Sequence, residues 1–302
     1  MKKFIFLVIF SFLAFSLSAQ NISDFDIQGN DDGTMTILNY KGTAKEIVIP
    51  ETIFNMPVTR LAEGAFKNKG LTSVVIPSTV TFIGNETFMR NQITSLTIPE
   101  TVVSIGNYAF ENNRLTSITL PENLEYIGNN AFADNQITSV TIPGKVIVIN
   151  SYAFASNKLS SITIPDSVTF IGNRAFQANS ITNVVIGNGV IHIGNGAFLN
   201  CPISSMRLGS SIRYIGENAF FGHRVSTIIL PESVVYIGVG AFTPNNQNSL
   251  TSITIGKLVM FGWNEYGGGA VFNNTTFDLF YVNNQMKAGR YTFASSNWSY
   301  TP

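Results

Sequence analysis

"IGNYAFENNRLTSITLPENLEY" (Ile105–Tyr126) runs straight into "IGNNAFADNQITSVTIPGKVIV" (127–148), so 22 letters are nearly repeated. Phenylalanines preceded by Ala or Thr stand at Phe66, Phe88, Phe110, Phe132, Phe154, Phe176, Phe198, Phe220 and Phe242, each 22 residues after the last. Four residues before them come Gly84, Gly106, Gly128, Gly172, Gly194, Gly216 and Gly238, with Ala62 and Asn150 as the exceptions. The unit reads N-x-[LI]-T-S-[IV]-T-[IL]-P-x-x-V-x-x-I-G-x-x-A-F-x-x. A Leu/Ile pattern at a period of about 20 to 29 residues marks a leucine-rich-repeat solenoid, in which one coil buries its apolar face only against its neighbours.

Within a coil, Leu115, Ile118 and Leu120 alternate with Ser117 and Thr119, the pattern of a half-buried strand. Stacked coils then give a parallel, concave β-sheet with strands about 4.8 Å apart. Pro121, lacking an N–H, suits the strand's end. Gly106 permits a sharp turn or a close backbone approach, and "NYAFENN" predicts a helical or irregular turn on the outer side. The expected fold class is therefore an α/β solenoid, a right-handed coil of about nine 22-residue repeats. The phenylalanines should stack as a spine, each burial worth roughly 2 to 3 kcal/mol before entropy. Three residues after Phe comes a second ladder, Asn91, Asn113, Asn135, Asn157 and Asn179, continued by Cys201 and His223. Its amides can satisfy backbone groups that tight turns leave unpaired, which gives Cys201 and His223 a structural reading before a catalytic one.

Composition narrows the function classes. Of the residues, 45% are hydrophobic and 12% charged, a folded chain with about half the usual charge. Residues 1–20, "MKKFIFLVIFSFLAFSLSAQ", follow the order of a secretory signal: Lys2 and Lys3, an apolar run, then small residues, with cleavage expected near Ala19 or Gln20. The run is too short for a membrane span, so no stable span is expected once it is removed. Without Lys2 and Lys3 the 18 basic residues become 16 against 18 acidic, a formal charge of −2 and no basic stripe for nucleic acid. A single cysteine excludes an intramolecular disulfide framework. With His192 and His223 the only histidines and no spaced cysteine pair, neither a metal site nor a cofactor is expected. "GNGVIHIG" (187–194) lacks the dinucleotide-binding spacing.

At the ends the period breaks. Residues 21–46 hold "NDDG" between two apolar alternations, which predicts a β-hairpin cap, with the solenoid spanning 47–255. The aspartates there lack the ligand spacing of a calcium loop. Residues 256–302 are read as a C-terminal cap in which "RYTFASSNWSY" forms a hairpin with Tyr291, Phe293, Trp298 and Tyr300 on one face.

The unit "LTSITIP…V…IG..AF..N" resembles the BspA-like leucine-rich-repeat family over about Ile47 to Ile255. Asparagine replaces the usual cysteine in most coils. The resemblance implies a secreted or surface-exposed bacterial protein, adhesion to host proteins or cells, and no shared catalytic residues.

Function is then expected among letters the coil does not use. On the strand face, Ser95, Ser117, Ser139 and Ser161 run beside Thr97, Thr119, Thr141 and Thr163, and the acids Glu100, Glu122, Asp166 and Glu232 follow the proline position. A third column, Phe82, Ser104, Tyr126, Val148, Phe170, His192, Tyr214 and Tyr236, precedes the IG pair. Ser117, Thr119, Glu122, Tyr126, Arg207, Arg213, Tyr214 and Tyr236 are the candidate partner-binding residues, because tyrosine and arginine are enriched in interface hot spots. The resulting expectation is an exported, non-enzymatic protein that binds a protein or cell-surface ligand, host extracellular matrix among the candidates. A structural or envelope-assembly element, or a carbohydrate-binding or carbohydrate-active protein, is the alternative.

Overall fold

The structure, a computed structural model, describes residues 21–245, 250–257, 259–262, 286–294 and 297–302. The leader-like stretch 1–20 and most of the segment 258–285 lie outside the described residues. The chain winds into a β-solenoid of about ten turns of roughly 22 residues.

Inside it the phenylalanines form a continuous stack. Consecutive rings from Phe66 to Phe242 have centroids 5.0 to 5.7 Å apart and planes within 14° of parallel, and all nine are fully buried. At the N-terminal end Tyr40 continues the stack, 5.9 Å from Phe66, with Phe25 leaning on both. These two rings belong to the strands Phe25–Gly29 and Met35–Tyr40, which pair antiparallel across the "NDDG" turn.

Helical turns are not found, and the α/β description does not hold. The one helix among the described residues is a three-residue 3-10 turn, Ile22–Asp24. The reason lies in the backbone on either side of each phenylalanine. Residues two before each of them, and two after the first eight, take left-handed φ: Tyr108 at 58° and Asn112 at 55° flank Phe110, and Asn130 at 55° and Asp134 at 54° flank Phe132. Left-handed residues stop an α-helix from propagating. The N–H groups instead point to the next coil: Tyr108 N donates to Asn129 O, Phe110 N to Ala131 O and Asn112 N to Ala133 O, at 2.8 to 3.0 Å. The outer side is thus a third inter-coil ladder made of turns.

The longest sheet also lies elsewhere than the alternating pattern suggests. It runs through two-residue strands just before each glycine, Phe82–Ile83, Ser104–Ile105, Tyr126–Ile127 and so on to Met260–Phe261, every one parallel to the next. Glycine enforces the close approach there. A Cβ on Gly106 would sit 2.6 Å from Asn85 N of the coil before, while Gly106 N reaches Ile83 O at 2.8 Å. The "LTSITIP" strands, which have no such glycine, pair only in groups: Glu46–Val48 with Ser73–Val75, a lone bridge between Thr97 and Thr119, then Ser161–Ile164, Asn183–Ile186 and Ser205–Arg207. A last group joins Thr227–Ile229 and Ser252–Ile255 to the antiparallel pair Gly289–Ala294 and Asn297–Thr301.

Candidate functional site

The asparagine ladder shows how completely the coil uses its own polar groups. Asn135 Oδ1 accepts from Leu115 N at 3.0 Å, and its Nδ2 donates to Phe110 O and Phe132 O at 2.9 and 3.2 Å. Each asparagine so joins its own coil to the one before. Cys201 keeps one link of this set, Sγ to Phe176 O at 3.2 Å. Burial pushes its thiol up to about 12, so it stays protonated and is no nucleophile at neutral pH. His223 reaches the other way: Val225 N donates to Nδ1 at 3.1 Å and Nε2 faces Phe242 O at 2.9 Å. That pairing requires the neutral tautomer with its proton on Nε2, and burial lowers the ring's pKa.

A second amide ladder, absent from the sequence reading, follows the glycine. Asn85 Oδ1 accepts from Asn107 N, Asn107 Oδ1 from Asn129 N, and Asn129 Oδ1 from Ser151 N, at 2.7 to 3.1 Å. The recurrence of "IGN" was the available signal. The acids beside the proline do similar work: Glu100 Oε2 accepts from Glu122 N at 3.0 Å and Asp166 Oδ1 from Asn188 N at 2.6 Å. Among the described carboxylates Glu111 alone is raised, by burial and then by Asp134, and it sits on the outer turn away from that row. No cluster of metal-ligating side chains occurs among the described residues.

Two faces remain with side chains directed to solvent. On the strand face, Ser117 and Thr119 are exposed, as are Ser95, Thr97, Ser139, Thr141, Ser161 and Thr163. One place earlier, several hydroxyls are used internally: Thr138 Oγ1 donates to Thr116 O and Thr182 Oγ1 to Ser160 O, both at 3.3 Å. The next two hydroxyl columns make no such bond among the described residues. A shallow depression of about 600 Å³ opens among them, lined by Thr119, Ser139, Thr141, Ser161 and Thr163, with Ile142 at its floor. Glu122 lines an adjoining hollow with Thr119 and Thr141. Arg207 is exposed farther along this face, beside Thr163 and Asp166.

The other face carries the residues before the IG pair. Tyr126, Arg213 and Tyr214 are exposed and Tyr236 is half-buried. Tyr214 pairs in register with both His192 and Tyr236, and its ring stacks on His192 at 4.4 Å. The structure therefore divides the eight candidates, Ser117, Thr119, Glu122 and Arg207 on one face, Tyr126, Arg213, Tyr214 and Tyr236 on the other. A second exposed column, overlooked in the sequence, lies one residue earlier and includes Val103, Glu125, Ile147 and Ile191. Together the two columns hold eight apolar side chains 37 to 59% exposed, from Phe82 to Met260.

The sequence model of the BspA type Leucine rich repeat region matches residues 59–182 and 169–299 in 6 copies. Three solved structures of similar fold are the pneumococcal vaccine antigen PcpA (20% identity over 78% of this chain and 80% of that one, TM-score 0.53), a leucine rich cell surface protein of Faecalibacterium prausnitzii (21%, 85% and 98%, TM-score 0.44) and the leucine-rich-repeat protein of T. pallidum (23%, 66% and 84%, TM-score 0.44). Likeness at this level of identity speaks to the fold. No curated protein matches the chain.

Proposed function

Because the chain belongs to the BspA-type leucine-rich-repeat family, we propose that it is an exported, non-enzymatic binding protein that meets a protein or cell-surface partner in the manner of an adhesin. The hydroxyl-bearing strand face is the recognition surface. The observation that carries this reading is the set of eight exposed hydroxyls, from Ser95 to Thr163, that have no protein partner among the described residues although nearly every buried polar group of the coil has one. Hydroxyls without internal partners are free to donate and accept across an interface, where polar contacts set register and specificity. Glu122 and Arg207 add one charge of each sign at the border of the row.

Residues 1–20 act as the secretory signal, and the segments 21–46 and 256–302 cap the two ends of a solenoid spanning 47–255. The N-terminal hairpin supports its assignment by covering Phe66 with Tyr40 and Phe25. The partner is a host matrix protein or another cell surface, and its saturable binding to the purified chain is the test. Absence of saturable binding to matrix proteins and to bacterial cells alike would overturn this reading.

A further inference from the structure

The stripe before the IG pairs holds eight of the fifteen exposed large hydrophobic side chains among the described residues, and its letters have an order. Numbering coils from the one that contains Arg60, the earlier column reads Thr81, Val103, Glu125, Ile147, Thr169, Ile191, Arg213 and Val235 in coils two to nine. The later column runs from Phe82 to Tyr236 and continues to Met260 in coil ten, which pairs with Tyr236 in register. The only charges in coils two to nine of these columns are Glu125 in coil four and Arg213 in coil eight. Neither takes part in an ion pair among the described residues.

We propose that this stripe is an isologous interface at which a second copy of the chain packs face to face and antiparallel, about a two-fold axis passing through coil six at Phe170. A two-fold axis lying in the interface and perpendicular to the solenoid places coil n opposite coil twelve minus n and keeps each column opposite itself. Glu125 then faces Arg213 of the other copy, twice by symmetry. Ile147 meets Ile191, Val103 meets Val235, Phe82 meets Met260, and Phe170 meets its own equivalent. Small Ser104 lies opposite bulky Tyr236. The parallel alternative would set each charge against a tyrosine of its own coil number and leave both unpaired.

Three further observations favour a second copy over another occupant. The stripe repeats at the coil rise, 5.0 to 5.7 Å along the ring stack, and a second copy matches that rise at every coil by construction. Its eight exposed apolar side chains offer on the order of 500 Å² per copy, before the rest of each column is counted, against about 800 Å² per partner in a standard interface. A stripe of this size is comparable to the largest apolar patch of a typical monomer, about 300–600 Å², which is often functional. The inference rests on the reading of exposed columns as interaction surfaces and assigns one of them to self-association, leaving the hydroxyl face for another partner.

Sedimentation of the purified chain over a concentration series should show a monomer–dimer equilibrium. Glu125→Arg and Arg213→Glu, each of which sets like charges opposite one another, should each weaken the dimer by about a hundredfold or more, and the double variant should restore it. Both side chains are exposed, so circular dichroism and melting should match the parent chain in all three variants. As a second readout, Thr169→Cys lies on the axis and should form a disulfide-linked dimer on oxidation, the native Cys201 being buried. A monomer at every concentration, a dimer indifferent to both single swaps, or a double variant that stays monomeric would overturn the proposal. Saturable binding to matrix or cells that persists in the monomeric variants would leave the reading of the hydroxyl face standing, and its loss in the parent dimer would remove that reading alone.

Discussion

At the scale of single residues, stability is set by amides that no hydrophobic count reveals. Asn135 bonds one N–H and three carbonyls in two coils, and Asn135→Ala leaves the Leu115 N–H buried and unpaired while the Phe110 and Phe132 carbonyls keep only Asn113 and Asn157. A loss of about 2 kcal/mol or more is expected in equilibrium denaturation, because an unpaired buried polar group costs about 1–3 kcal/mol. The exposed Ser139→Ala should change stability by about 0.5 kcal/mol or less. His223 gives a pH signature with a definite sign. Its folded-state pKa lies below the ordinary histidine value of about 6.5 because burial disfavours the charged ring, and protonation would also place a hydrogen on Nδ1 against the Val225 N–H. The unfolded chain therefore binds a proton that the folded chain does not. The contribution is fully present above about pH 6.5 and is lost as pH falls from there towards the folded-state pKa. His223→Asn should flatten this slope in thermal melts recorded between neutral and mildly acidic pH.

At the scale of the element, the alternating "LTSITIP" motif was legible as a strand because inward Ile118 and Leu120 and outward Ser117 and Thr119 follow a period of two. The phenylalanine spine and the turn glycine were legible for the same reason, that each repeats at one place in the coil. What escaped was the outer turn. "NYAFENN" has helix-compatible letters, and Tyr108 announces no left-handed backbone, although the Asn, Asp and Gly that recur at these positions, Asn112, Asn130, Asp134 and Gly196 among them, were a signal for it. A non-glycine residue there carries a cost of roughly 1–2 kcal/mol. Tyr108→Gly should accordingly be neutral or stabilising in spite of losing a ring, whereas Tyr108→Ile should destabilise. An ordinary helical turn would give the reverse for glycine, about 1 kcal/mol of loss. Far-ultraviolet circular dichroism without the helical double minimum should accompany both. The longest parallel sheet escaped for a related reason: two residues, such as Tyr126 and Ile127, are too few to show alternation, and only the glycine that follows marks the close approach.

At the scale of the whole molecule, the solenoid uses its repeated letters to join coil to coil, through the ring stack, two amide ladders and the backbone ladders. The variable letters are left on two exposed faces. The split of the eight sequence candidates between those faces could not be read from the chain, because residues 117 and 126 are close in sequence but lie on either side of a proline corner. In the proposed function, partner recognition depends on the hydroxyl face. Its most direct test is saturable binding to matrix proteins and bacterial cells by the parent chain and by a Thr119→Lys/Thr141→Lys variant, with Glu125→Arg as a control on the other face. Binding lost in the lysine variant and kept in the control, with all three chains equally folded, is the expected result. Binding unchanged by the lysines would contradict a recognition surface on the hydroxyl columns.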